Sequence, residues 1–257
     1  MTGPGDEVLV ERRGAVQVIT INRPHARNAL DGAVSRGIAA AVDELDASDE
    51  LRVGVLTGAG GTFSAGMDLK AFLRGERPWV EGRGLCGITE VPPRKPLIGA
   101  AEGWALAGGF ELLLACDLVV ASSTARLGVP EVKRSLVAAA GGALLLTRRV
   151  PHAVAMEMLL TGDPIDAARA AEIGLVNRVT DEGGALDAAV ELATVIAANA
   201  PLAVVATKRI ARGSADWTTE QGWAEQAALL APVLASQDAR EGSTAFAEKR
   251  PPVWTGR

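Results

Sequence analysis

The chain holds no tyrosine and only two histidines, His25 and His152, among its 257 residues. Zinc centres and Ser-His-Asp triads both draw on imidazole, so neither chemistry has its usual parts here. Each histidine stands beside a proline at a predicted helix start, where an exposed surface position is the ordinary reading. Acid–base work therefore falls to carboxylates. Cysteine is equally scarce. Cys86 and Cys116 sit near apolar residues, are too few for a disulfide framework, and suit a reducing interior.

Positive charge is short as well. Lys and Arg number 26 against 31 Asp and Glu, a formal net charge of −5, and the pI is about 5.2. That balance argues against a nucleic-acid surface, which needs clustered cations. The longest apolar stretch, residues 104–121, is interrupted by Glu111 and Asp117, both costly inside a bilayer. Residues 1–11 lack the basic and apolar portions of a secretory leader. The expectation is a cytoplasmic chain with no membrane and no nucleic-acid partner.

What is present is a globular composition, 48% apolar and 22% charged, in a chain long enough to bury a substantial core. Residues 7–22 alternate and then run apolar, with Arg13-Gly14 as a turn between two strands. Asp31 can cap a helix whose apolar positions Val34, Ile38, Val42 and Leu45 recur at helical spacing. Strands are expected at residues 53–57, 96–101, 117–121 and 175–179. Residues 74–95, rich in Gly, Arg and Pro, read as a mobile surface segment. A helix opens near Gly108. From residue 141 onward helices dominate, at 141–149, 152–160, 166–173, 184–199, 201–212 and 218–235. Strand–helix alternation followed by a helical last third predicts an α/β core with an appended helical region.

The run Trp104-Ala-Leu-Ala-Gly-Gly-Phe-Glu-Leu-Leu-Leu-Ala-Cys116 carries the most information. A double glycine after a strand, opening an apolar helix, leaves free backbone N–H groups that favour negative charge on a nearby oxygen. One turn later comes Glu111, among Phe110, Leu112, Leu113 and Leu114. A buried carboxylate there would have a raised pKa, and an outward-facing glutamate is an equal alternative. A second turn, Thr62-Phe-Ser-Ala-Gly-Met-Asp-Leu69, can present another N–H near Gly66 and Met67. Two donors from separate turns, converging on one carbonyl oxygen, make an oxyanion hole. Taken singly, either turn is an ordinary αβ connection. Glu131, after Gly-Val-Pro130, is either a second firmly held carboxylate or a helix-start glutamate stabilised by the dipole. Gly58-Ala-Gly60 fails as a dinucleotide loop because Phe63 occupies the third glycine position. Ser64 lacks the preceding glycine of a nucleophile elbow.

These residues resemble a known family. Ser64-Ala-Gly-Met-Asp-Leu69, Ala107-Gly-Gly-Phe-Glu111-Leu with Ala115-Cys-Asp117, and Gly128-Val-Pro-Glu131 look like the enoyl-CoA hydratase/isomerase (crotonase) superfamily. The likeness runs from Ile21-Asn-Arg-Pro24 and Arg27-Asn-Ala-Leu30 through Gly174-Leu-Val-Asn-Arg178 to Phe246-Ala-Glu-Lys-Arg250, nearly the whole chain. It implies an α/β fold, a spiral of ββα turns over residues 1–195, with a helical trimerisation region over 196–257, assembled as a homotrimer or homohexamer. It implies oxyanion-hole N–H groups on Met67 and Gly108 and catalytic carboxylates on Glu111 and Glu131. Ala65, Asp68 and Leu69 would line an adenine pocket, largely through backbone atoms. Arg27 would lie near the coenzyme A phosphates, and Phe246 and Lys249 in the C-terminal helix would reach coenzyme A, from the same or a neighbouring subunit.

The implied substrate is an acyl-CoA thioester, with coenzyme A carried as part of it and no metal or further cofactor needed. Glu111 would activate water and Glu131 would pass a proton to C2. Residues 67–71, 87–90 and 245–254 look closest to carnitinyl-CoA dehydratases. A Δ3-Δ2-enoyl-CoA isomerase on the same scaffold and a non-catalytic binding homologue are the rival readings. Ala138-Ala-Ala140 and Trp104 depart from the common pattern and bear on the acyl pocket.

Overall fold

A computed structural model describes residues 7–257, so most of the stretch read for a leader lies outside the described residues. Strands β1 (Val8–Arg13) and β2 (Val16–Ile21) meet at the Gly14 turn, as Arg13-Gly14 predicts. Helix α1 (Gly32–Ala47) is capped by the Asp31 carboxylate, which accepts from the N–H groups of Ala33 and Val34, and it buries Val34, Ile38, Val42 and Leu45. Then come β3 (Val53–Gly58), the short α2 (Leu69–Leu73), and a ribbon of β4 (Trp79–Val80) and β5 (Gly84–Leu85). The centre of the chain is β6 (Leu97–Ala101), β7 (Trp104–Leu106), α3 (Gly108–Ala115), β8 (Leu118–Ser122) and β9 (Arg126–Gly128), followed by a single 3-10 turn at Pro130–Arg134. Helices α4 (Gly142–Arg149) and α5 (His152–Thr161), strand β10 (Ile165–Asp166), α6 (Ala167–Glu172) and β11 (Arg178–Thr180) lead to four consecutive helices. Those are α7 (Ala185–Ala197), α8 (Pro201–Gly213), α9 (Thr219–Leu234) and α10 (Gln237–Glu248).

The large sheet runs β1-β2-β3-β6-β8-β11, antiparallel only between β1 and β2. A small second sheet runs β10-β9-β7. Each turn of the chain gives one strand to each sheet and then a helix or helical turn: β6, β7 and α3; β8, β9 and the 3-10 turn. The turn before them does the same in reduced form, because Ser64 makes a lone parallel bridge to Ala105. This is the spiral of ββα turns that the family resemblance implies.

Both faces of the large sheet are covered, which explains the near-continuous apolar strands. Val16, Val18, Val53, Val55, Ile98, Ala100 and Val120 pack on Ala185, Ala189 and Ala193 of α7. The opposite face, with Ile19, Ile21, Leu56, Leu97 and Ala101, packs on α1, α3 and the small sheet.

Several expectations need correction. Residues 74–95 are not simply a surface segment: they form the β4–β5 ribbon, and Gly84 to Thr89 are all buried. Strands β7 and β9 were not foreseen, because three-residue strands leave no periodicity to read. The strand expected at 175–179 begins only at Arg178, since Leu175 and Val176 are buried in the turn before it. Helix α10 follows α9 as a further helix that the expected ranges, ending at residue 235, did not include.

The C-terminal layer is different in kind. Helices α8 and α9 bury none of their residues, and α10 buries only Asp238 and Ala245. Two ion pairs tie α8 to the core: Lys208 and Arg212 reach the Asp117 carboxylate at 2.6 and 2.9 Å. No single helix among the described residues is long and apolar enough to cross a membrane.

Candidate active site

The two glycine turns read from the sequence come together. Residues 63–68 are laced between two neighbours. On one side Ser64 N–H donates to Trp104 O (3.0 Å) and Leu106 N–H to Ser64 O (2.9 Å). On the other, Ala65 N–H donates to Arg27 O (3.0 Å), Leu30 N–H to Gly66 O (2.9 Å) and Asp68 N–H to Leu30 O (2.8 Å). Alternate groups of an extended segment point to opposite sides, so the Met67 N–H is turned away from Leu30 and toward α3. Gly66 has φ +92°, and a Cβ there would stand 2.8 Å from Ala107 Cβ and 3.1 Å from Gly108 N. Only glycine fits this contact, and it presses one turn onto the other. Met67 N lies 3.7 Å from where a Cβ on Gly108 would be. Neither the Met67 nor the Gly108 N–H donates to any acceptor among the described residues. Between them Ala107 holds φ +51° and ψ −128°, a strained state for a residue with a Cβ, of the sort that collects at functional sites.

Glu111 faces inward. It is 3% exposed, which settles the alternative of a solvent-facing glutamate. Its Oε1 accepts the N–H groups of Ala140 and Gly142, both at 2.8 Å, at the start of α4. Burial is the main influence on its pKa, which is pushed up to about 7; the Gly142 N–H works against the rise, the Glu131 charge adds to it, and the Ala140 N–H opposes it. Glu131, half-buried in the 3-10 turn, is also pushed up by burial against the pull of its own N–H and of Arg134. Its Oε2 is buried without a hydrogen-bond partner. The site thus holds two acids of raised pKa, the Glu131 charge adding to the rise at Glu111, each with an oxygen left for a ligand.

The residues expected to hold coenzyme A divide into two groups. Arg27 is exposed, and its carbonyl takes the Ala65 N–H, so Arg27 and Ala65 adjoin the Met67 turn. Asp68 caps α2 by accepting from Lys70 and Ala71, and Leu69 is exposed at the helix start. Burial works against the Asp68 charge, but the Ala71 N–H and the Arg23 guanidinium outweigh it and hold its carboxyl below the usual range. Phe246 and Lys249 stand apart within this chain. Phe246 is 88% exposed on α10, in a groove with Leu202, Val233 and Trp254 that includes no residue of the turns or of the glutamates. Lys249 lies just past α10, at φ +54°.

Three supports escaped the sequence reading. Arg23 reaches both Asp31 and Asp68 at 3.1 Å, joining the caps of α1 and α2. Asn28, fully buried, donates to Ala59 O and Thr62 O and accepts the Arg23 N–H. Both lie in stretches noted for resemblance but given no role. The Ala140 and Gly142 amides were the third. Gly141-Gly142 before an apolar helix repeats the Gly108-Gly109 pattern and could have marked them.

The sequence profile of the enoyl-CoA hydratase/isomerase family matches residues 11–257. An enoyl-CoA hydratase of Mycobacterium tuberculosis, EchA19, is 42% identical over 260 residues, covering 98% of each chain. A carnitinyl-CoA dehydratase of Citrobacter koseri is 42% identical over 254 residues, covering 96% of this chain and 97% of that one. The crystal structure of enoyl-CoA hydratase EchA1 from Mycobacterium marinum superposes with a TM-score of 0.97 at 58% identity, over 99% of this chain and 100% of that one. With paired amides, paired acids and a matching fold, the chain belongs to the enoyl-CoA hydratase/isomerase family.

Proposed function

We propose that this protein reversibly adds water across the double bond of a 2-enoyl-CoA thioester. The observation that carries the reading is the meeting of two unused backbone N–H groups, on Met67 and Gly108, in the site that holds two glutamates of raised pKa. The thioester oxygen accepts both N–H groups, so charge pushed onto it during attack at C3 is stabilised; one such donor is typically worth about 3 kcal/mol of barrier. Glu111 accepts a proton from water as the oxygen bonds to C3. Glu131 delivers a proton to C2. Dehydration runs the same steps backwards. A base with a pKa of about 7 suits proton transfer near neutrality.

Arg27 lies beside the coenzyme A phosphates, and Ala65, Asp68 and Leu69 border the adenine. Because α9 and α10 expose Trp223, Leu230, Leu234 and Phe246, the C-terminal layer packs on further copies in a homotrimer or homohexamer, where Phe246 and Lys249 meet a neighbour's coenzyme A. The two buried free thiols, Cys86 and Cys116, fit a reducing cytoplasm. A carnitinyl-CoA dehydratase-like reaction is a second reading. It is the same chemistry run in reverse, and one of the relatives above carries that name. Isomerisation can run with one carboxylate, and the presence of two favours hydration.

The test is to offer crotonyl-CoA, longer 2-enoyl-CoAs and crotonobetainyl-CoA and follow loss of the enoyl-thioester absorbance. Turnover is expected. Absence of hydration with every thioester overturns the reading.

A further inference from the structure

We infer that Arg23 is a positioning residue for the reaction: its guanidinium orients and polarises the Met67 amide through a relay of two peptide groups. The inference rests on the hydratase reading above. A trans peptide sets its N–H opposite its carbonyl, so whatever holds the carbonyl aims the N–H. The Met67 N–H belongs to the peptide whose oxygen is Gly66 O, and that oxygen accepts the Leu30 N–H at 2.9 Å. The Leu30 N–H in turn belongs to the peptide whose oxygen is Ala29 O, to which Arg23 Nη1 donates at 2.6 Å. Guanidinium, Ala29–Leu30 peptide and Gly66–Met67 peptide thus form one chain of hydrogen bonds, with the thioester oxygen as its last acceptor. Bonds in such a chain strengthen one another, most of all where water is excluded, and both Leu30 and Gly66 are buried.

The other amide has a different support. Gly108 opens α3, and the oxygen of its peptide, Ala107 O, accepts the Glu111 N–H at 3.0 Å. The dipole of that helix therefore stands behind the Gly108 N–H. Met67 precedes α2 and belongs to no helix, and Arg23 supplies the positive end instead. The guanidinium is fixed in place. Arg23 N–H donates to Asn28 Oδ1 at 2.9 Å and Asn28 N–H to Arg23 O at 2.8 Å, folding residues 23–28 back through Arg27 at φ +51° and Asn28 at φ +53°. Its side chain, 14% exposed, also meets Asp31 and Asp68, each at 3.1 Å. Those two aspartates directly follow Leu30 and Met67, which pair in a parallel bridge. Without the cation, two carboxylates would stand on neighbouring segments next to the amide, and like charges so placed push the segments apart.

Arg23→Gln and Arg23→Lys are compared with the parent chain in kcat and KM for crotonyl-CoA, in a thermal melt, and in the infrared carbonyl stretch of bound butyryl-CoA, isotope-labelled at its thioester carbonyl. Butyryl-CoA has no double bond to hydrate, so the stretch reads the grip of the two amides without turnover. The parent chain is expected to lower the stretch on binding. Arg23→Gln should lower it less and cut kcat about tenfold, a part of the roughly 10²- to 10³-fold cost of deleting a donor outright, with KM little changed. Arg23→Lys keeps the charge but spreads one ammonium over Ala29 O, Asp31 and Asp68. It should fall between the two, and it carries the test if Arg23→Gln melts early. A downshift equal to the parent's in every folded variant overturns the inference even where kcat falls, because loosened packing slows a reaction without touching the carbonyl. A parent chain that leaves the stretch unmoved overturns it as well. A parent chain that lowers the stretch yet hydrates no thioester is a separate result, which overturns the hydratase reading itself.

Discussion

Glu111 and Glu131, proposed above to serve one reaction, stand in unlike surroundings. Glu111 grows from α3, all eight of whose residues are buried, and two amides of the α4 start grip one of its oxygens. Glu131 hangs from a single turn with no buried residue, and the chain that follows it, Val132 to Val137, is exposed throughout. The difference teaches how the work is divided. A clamped carboxylate aims at one place and suits the water whose attack must be directed. A carboxylate with an unpartnered oxygen on a looser turn suits a proton that must be passed to carbon.

The sharpest way to break the comparison is to neutralise each acid. Glu111→Gln and Glu131→Gln should each lower kcat for crotonyl-CoA by about 10²- to 10⁴-fold, with the larger loss at Glu111. A variant that keeps the parent rate removes that glutamate from the mechanism.

Stability against pH separates the two acids next. Glu111 has a folded-state pKa of about 7 against an ordinary 4.5. Its contribution to stability is therefore full below about pH 4.5 and is lost as pH rises through 7, by about 3 kcal/mol. Glu111→Gln, which can still accept the two amides, should melt several degrees above the parent at pH 8 and together with it at pH 4.5. Glu131→Gln should shift in the same direction by less. Melting curves that stay parallel at both pH values would refute the assignment.

Smallest in effect is a test of the clamp. A Cβ on Gly142 would stand 3.0 Å from Glu111 Oε1 and 2.7 Å from Ala138 Cβ, so Gly142→Ala should misplace the carboxylate and lower kcat about tenfold, with KM little changed. Val132→Ala, exposed beside Glu131, should leave kcat within a factor of two, as surface changes do. Equal sensitivity at the two positions would erase the contrast drawn above.

Much of this was legible in the chain. The 34, 38, 42, 45 spacing and the Asp31 cap located α1, and Gly108-Gly109 marked the start of α3. The direction of Glu111 was not legible. Every residue of α3 is buried, so there is no polar face for periodicity to set against an apolar one. The groups that hold it lie 29 and 31 residues away and act through the backbone, which carries no side-chain signature. The β4–β5 ribbon hid for a related reason. Gly84 and Gly87 take positive φ within a tight buried turn, and such glycines read from sequence like those of an open loop. Arg23 was hidden differently, since Asp31 already looked complete as a helix cap and the family resemblance points Asp68 only to the adenine pocket.

The lacing of residues 63–68 between 27–30 and 104–106 has one more consequence. The amides proposed to grip the thioester oxygen belong to no single hairpin or helix; they exist as a pair only after three distant stretches have been drawn together. A nascent or half-folded chain consequently carries no partial version of the reactive centre, and a coenzyme A thioester meeting it would find nothing to react with.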